Sequence, residues 1–377
     1  MSPEFTAAED AFREEARAWL REHSPGPLPS MDTADGARAH REWEAELAAD
    51  RWSVVTWPAE YGGRDASLVE WVLFEEEYYL SGAPTRIAQN GISLLAPILF
   101  EHGTEDQRRR HLPPMADGRR IWAQAWSEPE AGSDLAGIRS TATPADGGWV
   151  LDGQKIWSSR APFADWGFGL FRTGPRSLTY FLFPLDAPGV EVRPIAQLGG
   201  EPGFAEIFFD DVFVPDEDVL GEVGDGWRVA MSTAGNERGL SLRSPGRFLA
   251  AADRLLDLWA HRGADAPHLR DRVADAWINA EAYRLYTWNT VDHVQNGSEI
   301  GAAGSVNKLF WTGLDLAIHE TALDLLGAGQ ELRSRWMDGY LFALGGPIYA
   351  GTNEIQRTIV AERLLGLPRG DRRKAQA

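Results

Sequence analysis

The chain changes texture twice. From Ile121 to about Pro215, short β-rich runs alternate with turn residues, while both flanks carry apolar residues at helical spacing. The order is therefore helices, then a sheet, then helices. It predicts an α+β multidomain chain: an N-terminal α-helical domain over 1–119, a middle β domain over 120–222 and a C-terminal helical domain over 223–377. With 377 residues there is room for about two or three domains.

In the N-terminal part Phe12, Ala16, Trp19 and Leu20 recur at helix spacing until Ser24-Pro25-Gly26-Pro27 stops the segment. Trp43, Leu47 and Val54 lie in or just after a second helix, Trp57 to Gly63 reads as a loop, and Leu68–Leu80 and Ile92–Phe100 read as buried helices. Thr104-Glu105-Asp106-Gln107 predicts a capping box opening a helix that ends at Leu112-Pro113. The β runs are Trp149–Leu151, Trp166–Phe171, Leu178–Phe183 and Glu206–Val214, with Asp146-Gly147 and Asp152-Gly153 expected as hairpin-type turns. Farther on, Phe248, Leu249, Ala252, Leu255, Leu256 and Trp259 form one helical stripe, and Pro245-Gly246 should kink or break the first helix. The polar tail after Pro368 is expected to fray.

Composition excludes several chemistries. The chain has no cysteine, which removes disulfides, thiolate nucleophiles, zinc–thiolate sites and iron–sulfur clusters. A formal charge of −19, from 37 basic and 56 acidic residues, makes it a poor candidate for tracking a nucleic-acid backbone. No apolar run reaches the roughly 18–20 residues of a membrane span, and Met1-Ser2-Pro3-Glu4-Phe5 lacks a signal-peptide pattern, so a cytoplasmic location is expected. No G-x-G-x-x-G follows a strand, and there is no P-loop, H-E-x-x-H or G-x-S-x-G. The eight histidines are scattered, so no metal site is expected.

Three segments can carry chemistry. Ala123 to Leu135 (Ala-Gln-Ala-Trp-Ser-Glu-Pro-Glu-Ala-Gly-Ser-Asp-Leu) is a strand ending in a Pro- and Gly-punctuated turn, which suits the polar edge of a heterocycle and a phosphate but also fits an ordinary strand exit. Gly153 to Arg160 (Gly-Gln-Lys-Ile-Trp-Ser-Ser-Arg) sets an indole and two hydroxyls on the next β segment; with 16 tryptophans in the chain, Trp157 alone decides nothing. Pro347 to Arg357 is a Gly-containing loop feeding a helix, and Asn353 to Arg357 could simply open a capped surface helix.

Taken together these segments resemble the acyl-CoA dehydrogenase family of flavoproteins. Ala-x-Ser-Glu-Pro-x-Ala-Gly-Ser-Asp at 125–134 is similar to its flavin-binding signature, and Gly153 to Ser159 to its Gly-x-Lys-x-Trp-x-Thr/Ser segment. Phe208 to Pro215 through Gly226, Tyr349 to Ile355, Trp57 to Gly63 and His102 to Pro113 match further family segments in the same order. The resemblance implies a barrel-like middle domain and a C-terminal four-helix bundle, with FAD between sheet and bundle, usually at a subunit interface. Carried over residue by residue, it implies cofactor contacts from Gln124, Trp126, Ser127, Ser133, Trp157 and Ser159, and from Thr352 and Glu354. Ser127 would meet the pyrimidine edge, Ser133 the phosphate or ligand side, Trp157 the isoalloxazine and Ser159 the region of N5.

The implied reaction takes the α-proton of an acyl thioester as a proton and the β-hydrogen as a hydride. A carboxylate is the usual base. Many members place it in a Tyr-Glu-Gly-Thr motif, where this chain has Ala350. Other members use a Glu-Arg pair on the first bundle helix, matched here by Asn236-Glu237-Arg238, which points to Glu237 as base; a solvent-facing ion pair is the alternative. Arg238 could serve the anionic end of the ligand, with Arg243 and Arg247 nearby, and the backbone N–H of Ala350 is implied as a polariser of the thioester carbonyl. The Arg-x-x-Phe-Gly motif of many members is replaced by Trp259 to Pro267, which resembles an actinobacterial branch that includes heteromers. The expected partners are an acyl-CoA or carrier-protein thioester, an electron-transfer flavoprotein or similar acceptor, and further subunits in a homodimer, homotetramer or heterotetramer. Two alternatives stand beside the dehydrogenase: a partner subunit with an incomplete site, and a flavin oxidase or N-oxygenase on the same scaffold.

Overall fold

The computed structural model describes residues 4–368 except 240, 241, 243, 299 and 329–333, and omits the side chains of 234–239 and 244. The polar tail beyond 368 therefore lies outside the described residues. Two compact units emerge, one spanning 8–237 and the other comprising 1–7 with 238–377.

In the unit spanning 8–237, helices α1 (Ala7–His23), α2 (Ala34–Ala49), α3 (Leu68–Leu80), α4 (Ala96–His102) and α5 (Glu105–Ala116) come first. Their apolar stripes close over Ala16, Leu20, Trp43, Leu47, Trp52, Val55, Phe74 and Tyr78. Charges inside this layer are paired: Arg86 meets the fully buried Glu44, and Arg13 and Arg17 both reach Glu77. The capping box at Thr104 forms as its sequence requires, with Thr104 Oγ1 accepting from the Gln107 N–H at 3.2 Å and Gln107 Oε1 accepting from the Thr104 N–H at 3.0 Å. The helix does not end at Leu112-Pro113, however. It runs through Pro113 and Pro114 to Ala116. Two prolines at the last turn keep helical φ and remove N–H donors. Arg120 Nη1 compensates at 3.3 Å from the Arg110 carbonyl that Pro114 cannot reach.

The sheet has eight strands: β1 (Trp122–Ala125), β2 (Thr141–Ala145), β3 (Gly148–Ser159), β4 (Trp166–Gly174), β5 (Ser177–Pro184), β6 (Val190–Ile195), β7 (Phe204–Pro215) and β8 (Val219–Leu220). Their order is β6-β7-β3-β2-β4-β5-β8, with β1 parallel to β4. Phe171, Phe181, Phe183 and Phe209 interlock edge to face beneath it at 5.0–6.0 Å between centroids. Asp146-Gly147 does form the β2–β3 hairpin turn, linking paired residues Ala145 and Gly148. Asp152-Gly153 does not form a turn. It lies inside β3 at a register shift, where Gly153 has φ +136° and a Cβ would fall 2.3 Å from Ser140 Oγ. The dipeptide serves close approach of two strands, a role glycine shares with turns.

In the C-terminal direction α6 (Gly226–Gly239) is followed by α7 (Ser244–Arg262), α8 (Arg270–Gln295), α9 (Ala303–Leu326), α10 (Arg335–Gly345) and α11 (Asn353–Ile359). The second unit's core is built from Phe248, Leu249, Ala252 and Leu255 of α7 against Val273 and Tyr283 of α8, Leu314 and Ile318 of α9, and Trp336 of α10. Pro245 does not kink the helix that carries the Phe248–Trp259 stripe; it lies in the first turn of α7. In a first turn its missing N–H has no intrahelical partner to lose.

Candidate functional site

Two of the singled-out segments meet in the unit spanning 8–237. Strand β1 carries Gln124, half-buried opposite Phe168 of β4, and its exit carries Trp126, whose indole Nε1 donates to the Tyr180 hydroxyl at 3.2 Å. The chain then turns tightly: Glu128 and Ala131 exchange backbone hydrogen bonds at 3.0 Å each way. This leaves Pro129, Glu130, Gly132, Ser133 and Asp134 exposed on a small loop. The carbonyl of Ser127 accepts from the Ile156 N–H of β3 at 2.8 Å, so the signature loop lies directly against the second segment.

There β3 bulges. Lys155 pairs with Ile207 and Ser158 with Ala205, so three steps of β3 face two of β7. The extra residue is accommodated at Trp157, whose φ is +62°. A bulky side chain in the left-handed region is an outlier that the surroundings must hold. The residue is 58% exposed, and its indole is flanked edge-on by Phe204 at 6.0 Å. Ser158 is buried and Ser159 half-buried at the end of the same strand. A strained backbone here turns a large aromatic ring outward, and a ring so presented offers a flat face on which a planar group can stack.

Both segments hang on residues to which the motifs alone assigned no role. Lys155 points inward from β3 and is fully buried; its Nζ donates to Glu128 Oε1 at 2.8 Å and to the Leu170 carbonyl at 2.7 Å. Glu128 in turn accepts from the Arg139 N–H at 2.5 Å and the Ser140 N–H at 3.0 Å. Burial pushes the Lys155 ammonium down to about 8, opposed by Glu128, and the Lys155 charge helps hold the Glu128 carboxyl below its ordinary range despite burial. Arg172 of β4 fixes the far end of the loop through the carbonyls of Ala136 at 3.0 Å and Ile138 at 3.0 Å. A lysine at an inward position of an alternating strand was the available sequence signal, since such a residue requires a buried partner.

The second unit holds the third segment. Ala350 has φ +55° and Gly351 φ +78°. Gln356 Nε2 donates to the Ala350 carbonyl at 3.0 Å, and Lys308 Nζ reaches Asn353 Oδ1 at 2.9 Å. Thr352 caps α11 by accepting from the Ile355 N–H at 3.3 Å. Glu354 is exposed, and its carboxyl is held low by its own backbone N–H and the Thr352 hydroxyl. Arg247 donates to the buried Asp315 at 2.5 Å. The side chains of Glu237 and Arg238, at the end of α6, lie outside the described residues, as does Arg243.

Three family models, described as the N-terminal, middle and C-terminal domains of acyl-CoA dehydrogenase, match residues 6–119, 123–212 and 224–365. The chain belongs to the acyl-CoA dehydrogenase family. It has that family's fold of N-terminal helical, middle β-sheet and C-terminal helical domains, and it is an enzyme of the FAD-dependent acyl-CoA dehydrogenase class. Among relatives, acyl-CoA dehydrogenase IpdE1 of Mycolicibacterium smegmatis is 41% identical, covering 95% of this chain and 97% of its own length. The protein of the same name from Mycobacterium tuberculosis is 40% identical over 96% and 98%. Among solved structures, the Tcur3481-Tcur3483 steroid acyl-CoA dehydrogenase superposes with a TM-score of 0.86 at 26% identity, covering 98% of this chain and 100% of that one. The ChsE4-ChsE5 complex from Mycobacterium tuberculosis gives 0.83 at 27%, over the same shares. No helix among the described residues is long and apolar enough to cross a membrane.

Proposed function

We propose that this acyl-CoA dehydrogenase uses FAD to introduce an α,β double bond into an acyl thioester carried by CoA or a carrier protein. The observation that carries the reading is the outward-turned, strained Trp157 beside the small-residue loop at 129–134, which fits the flat ring and polar edge of a flavin. FAD, when bound, supplies the two-electron acceptor that takes the β-hydrogen as a hydride. Gln124, Trp126, Ser127, Ser133, Trp157 and Ser159 are the proposed cofactor contacts on the sheet, and Thr352 and Glu354 those on the C-terminal segment. The division into 1–119, 120–222 and 223–377 is proposed as the domain plan.

Glu237 is the proposed base. Its carboxylate accepts the α-proton, and a carboxylate desolvated beside an acyl chain is basic enough to act once the thioester carbonyl is polarised. The Ala350 N–H is the proposed polarising donor; a backbone donor is unaffected by a methyl side chain, and one such donor contributes roughly 10²–10³ in rate. Arg238 and Ser133 are assigned to the anionic and ligand-facing ends of the substrate. Glu237→Gln should keep bound FAD and lose at least about a hundredfold in turnover with an artificial electron acceptor. Near-normal turnover in that variant ends the assignment. A cytoplasmic setting and electron transfer to an electron-transfer flavoprotein or similar acceptor complete the reading.

A second reading, that the chain works as one component of a heteromer, is favoured by the missing Arg-x-x-Phe-Gly motif and by two structural neighbours that are two-component assemblies. A folded but colourless preparation of the chain alone supports it. Stoichiometric flavin absorbance supports a site complete within copies of this chain.

A further inference from the structure

The Lys155–Glu128 pair is a poor choice if stability were its purpose. Taking two charges out of water is expensive, and well-packed apolar residues of similar size are often as stable or more so. What the pair supplies is geometry. Glu128 sits at the start of the signature loop, and its two oxygens hold the N–H groups of Arg139 and Ser140 where the loop returns to β2. Lys155 ties that carboxylate to the Leu170 carbonyl in the middle of β4 and lies two residues before the Trp157 bulge. One buried ammonium therefore fixes the departure and return of the loop and the strand that turns the indole outward. The Ile156–Ser127 backbone bond joins the same two segments as well.

We infer that Lys155 and Glu128 are positioning residues for the flavin: together they set the 127–140 loop and the Trp157 bulge in one binding geometry before the cofactor arrives. This rests on the FAD reading above. Preorganisation of this kind raises affinity by removing the cost of ordering the loop on binding.

The test uses the full-length apoprotein and compares wild type, Lys155→Met, and the neutral pair Lys155→Met with Glu128→Gln. Three quantities are measured: the thermal midpoint, backbone amide exchange across 127–140, and the FAD dissociation constant from flavin fluorescence well below the midpoint. Lys155→Met leaves a buried unpaired carboxylate, so its midpoint falls. The neutral pair should recover most of that midpoint, because no lone charge remains. It should still exchange Arg139 and Ser140 at least about tenfold faster than wild type and bind FAD at least about tenfold more weakly, since the bridge to Leu170 is gone. If the neutral pair recovers midpoint, exchange protection and FAD affinity together, the residues are merely structural and the inference is overturned. If wild type itself takes up no FAD, the reading of a flavin site complete in this chain gives way to the heteromer, while slow exchange at 139 and 140 that is lost in the neutral pair upholds the loop geometry. Should Lys155→Met not fold, the neutral pair decides alone.

Discussion

Trp157→Gly separates a residue held for a ligand from one held for the core. Trp157 is 58% exposed, so a little under half of the residue's surface is covered by protein. Aromatic side chains bury about 150–250 Å² when fully enclosed, so the covered part is roughly 60–105 Å², or about 1.5–2.6 kcal/mol at ~25 cal/mol per Å². Glycine returns part of this, because a non-glycine residue in the left-handed region costs about 1–2 kcal/mol, less the roughly 0.5–1 kcal/mol of extra backbone entropy that glycine loses. The apoprotein should therefore lose only about 1–2 kcal/mol, roughly 2–8 °C in midpoint for a unit of this size. FAD affinity should suffer more relative to contact area. The exposed face is the part a flavin would cover, and losing that aromatic contact together with its apolar burial should weaken binding by about 2 kcal/mol, roughly 30-fold. Differential scanning fluorimetry of the apoprotein and a fluorescence titration with FAD read the two quantities. An apoprotein destabilised by more than about 4 kcal/mol with unchanged FAD affinity would falsify the platform argument, because that pattern belongs to a core aromatic.

Alkaline pH gives an independent view of the buried lysine. Its pKa in the folded protein is pushed down to about 8, below the ordinary value of about 10.4. Below pH 8 the ammonium is charged both folded and unfolded, and folding carries its full desolvation penalty. Between about pH 8 and 10.4 the unfolded chain binds the extra proton, so this group's contribution to stability rises with pH. The stability of wild type minus that of Lys155→Met should therefore increase across that window in parallel denaturation curves, and a decrease contradicts the buried-lysine account. Gly153→Ala places a Cβ 2.3 Å from Ser140 Oγ and 2.7 Å from its Cα at φ +136°. A loss of about 2–4 kcal/mol from overpacking and backbone strain, with faster exchange at Ser140, is expected.

Much of the plan was legible because it depends on periodicity. The helical stripes at Ala16–Leu20 and Phe248–Leu255 and the Thr104 capping box are local patterns, and local geometry obeys them. The misreadings share a different cause. Asp152-Gly153 carries a turn signature, but whether its glycine serves a turn or the close passage of Ser140 depends on how far the β2–β3 hairpin extends, with Thr141 paired to Asp152. Pro113 and Pro114 stop helices by the rules of local propensity, yet a guanidinium from Arg120 covers the Arg110 carbonyl that Pro114 leaves bare. The motifs identified the signature loop and Trp157, while the inward Lys155 was visible only as a letter within one of them. Its partner, 27 positions upstream in the sequence, became apparent once β3 was laid beside the loop.

The attachment of the signature loop to the sheet has a consequence for how such enzymes diversify. Strand β1 ends on Gly169 and β2 begins on Arg172, so the whole excursion from 126 to 140 leaves and rejoins one strand three positions apart. Its feet are only about 10 Å apart along β4. Changing the length of the arch between such feet is thermodynamically mild, since even a doubling adds only about 0.6 kcal/mol of closure entropy. The sheet beneath need not notice. Insertions and deletions at its crown are thus a route by which descendants of this scaffold can alter what lies over the platform while inheriting the foundation unaltered.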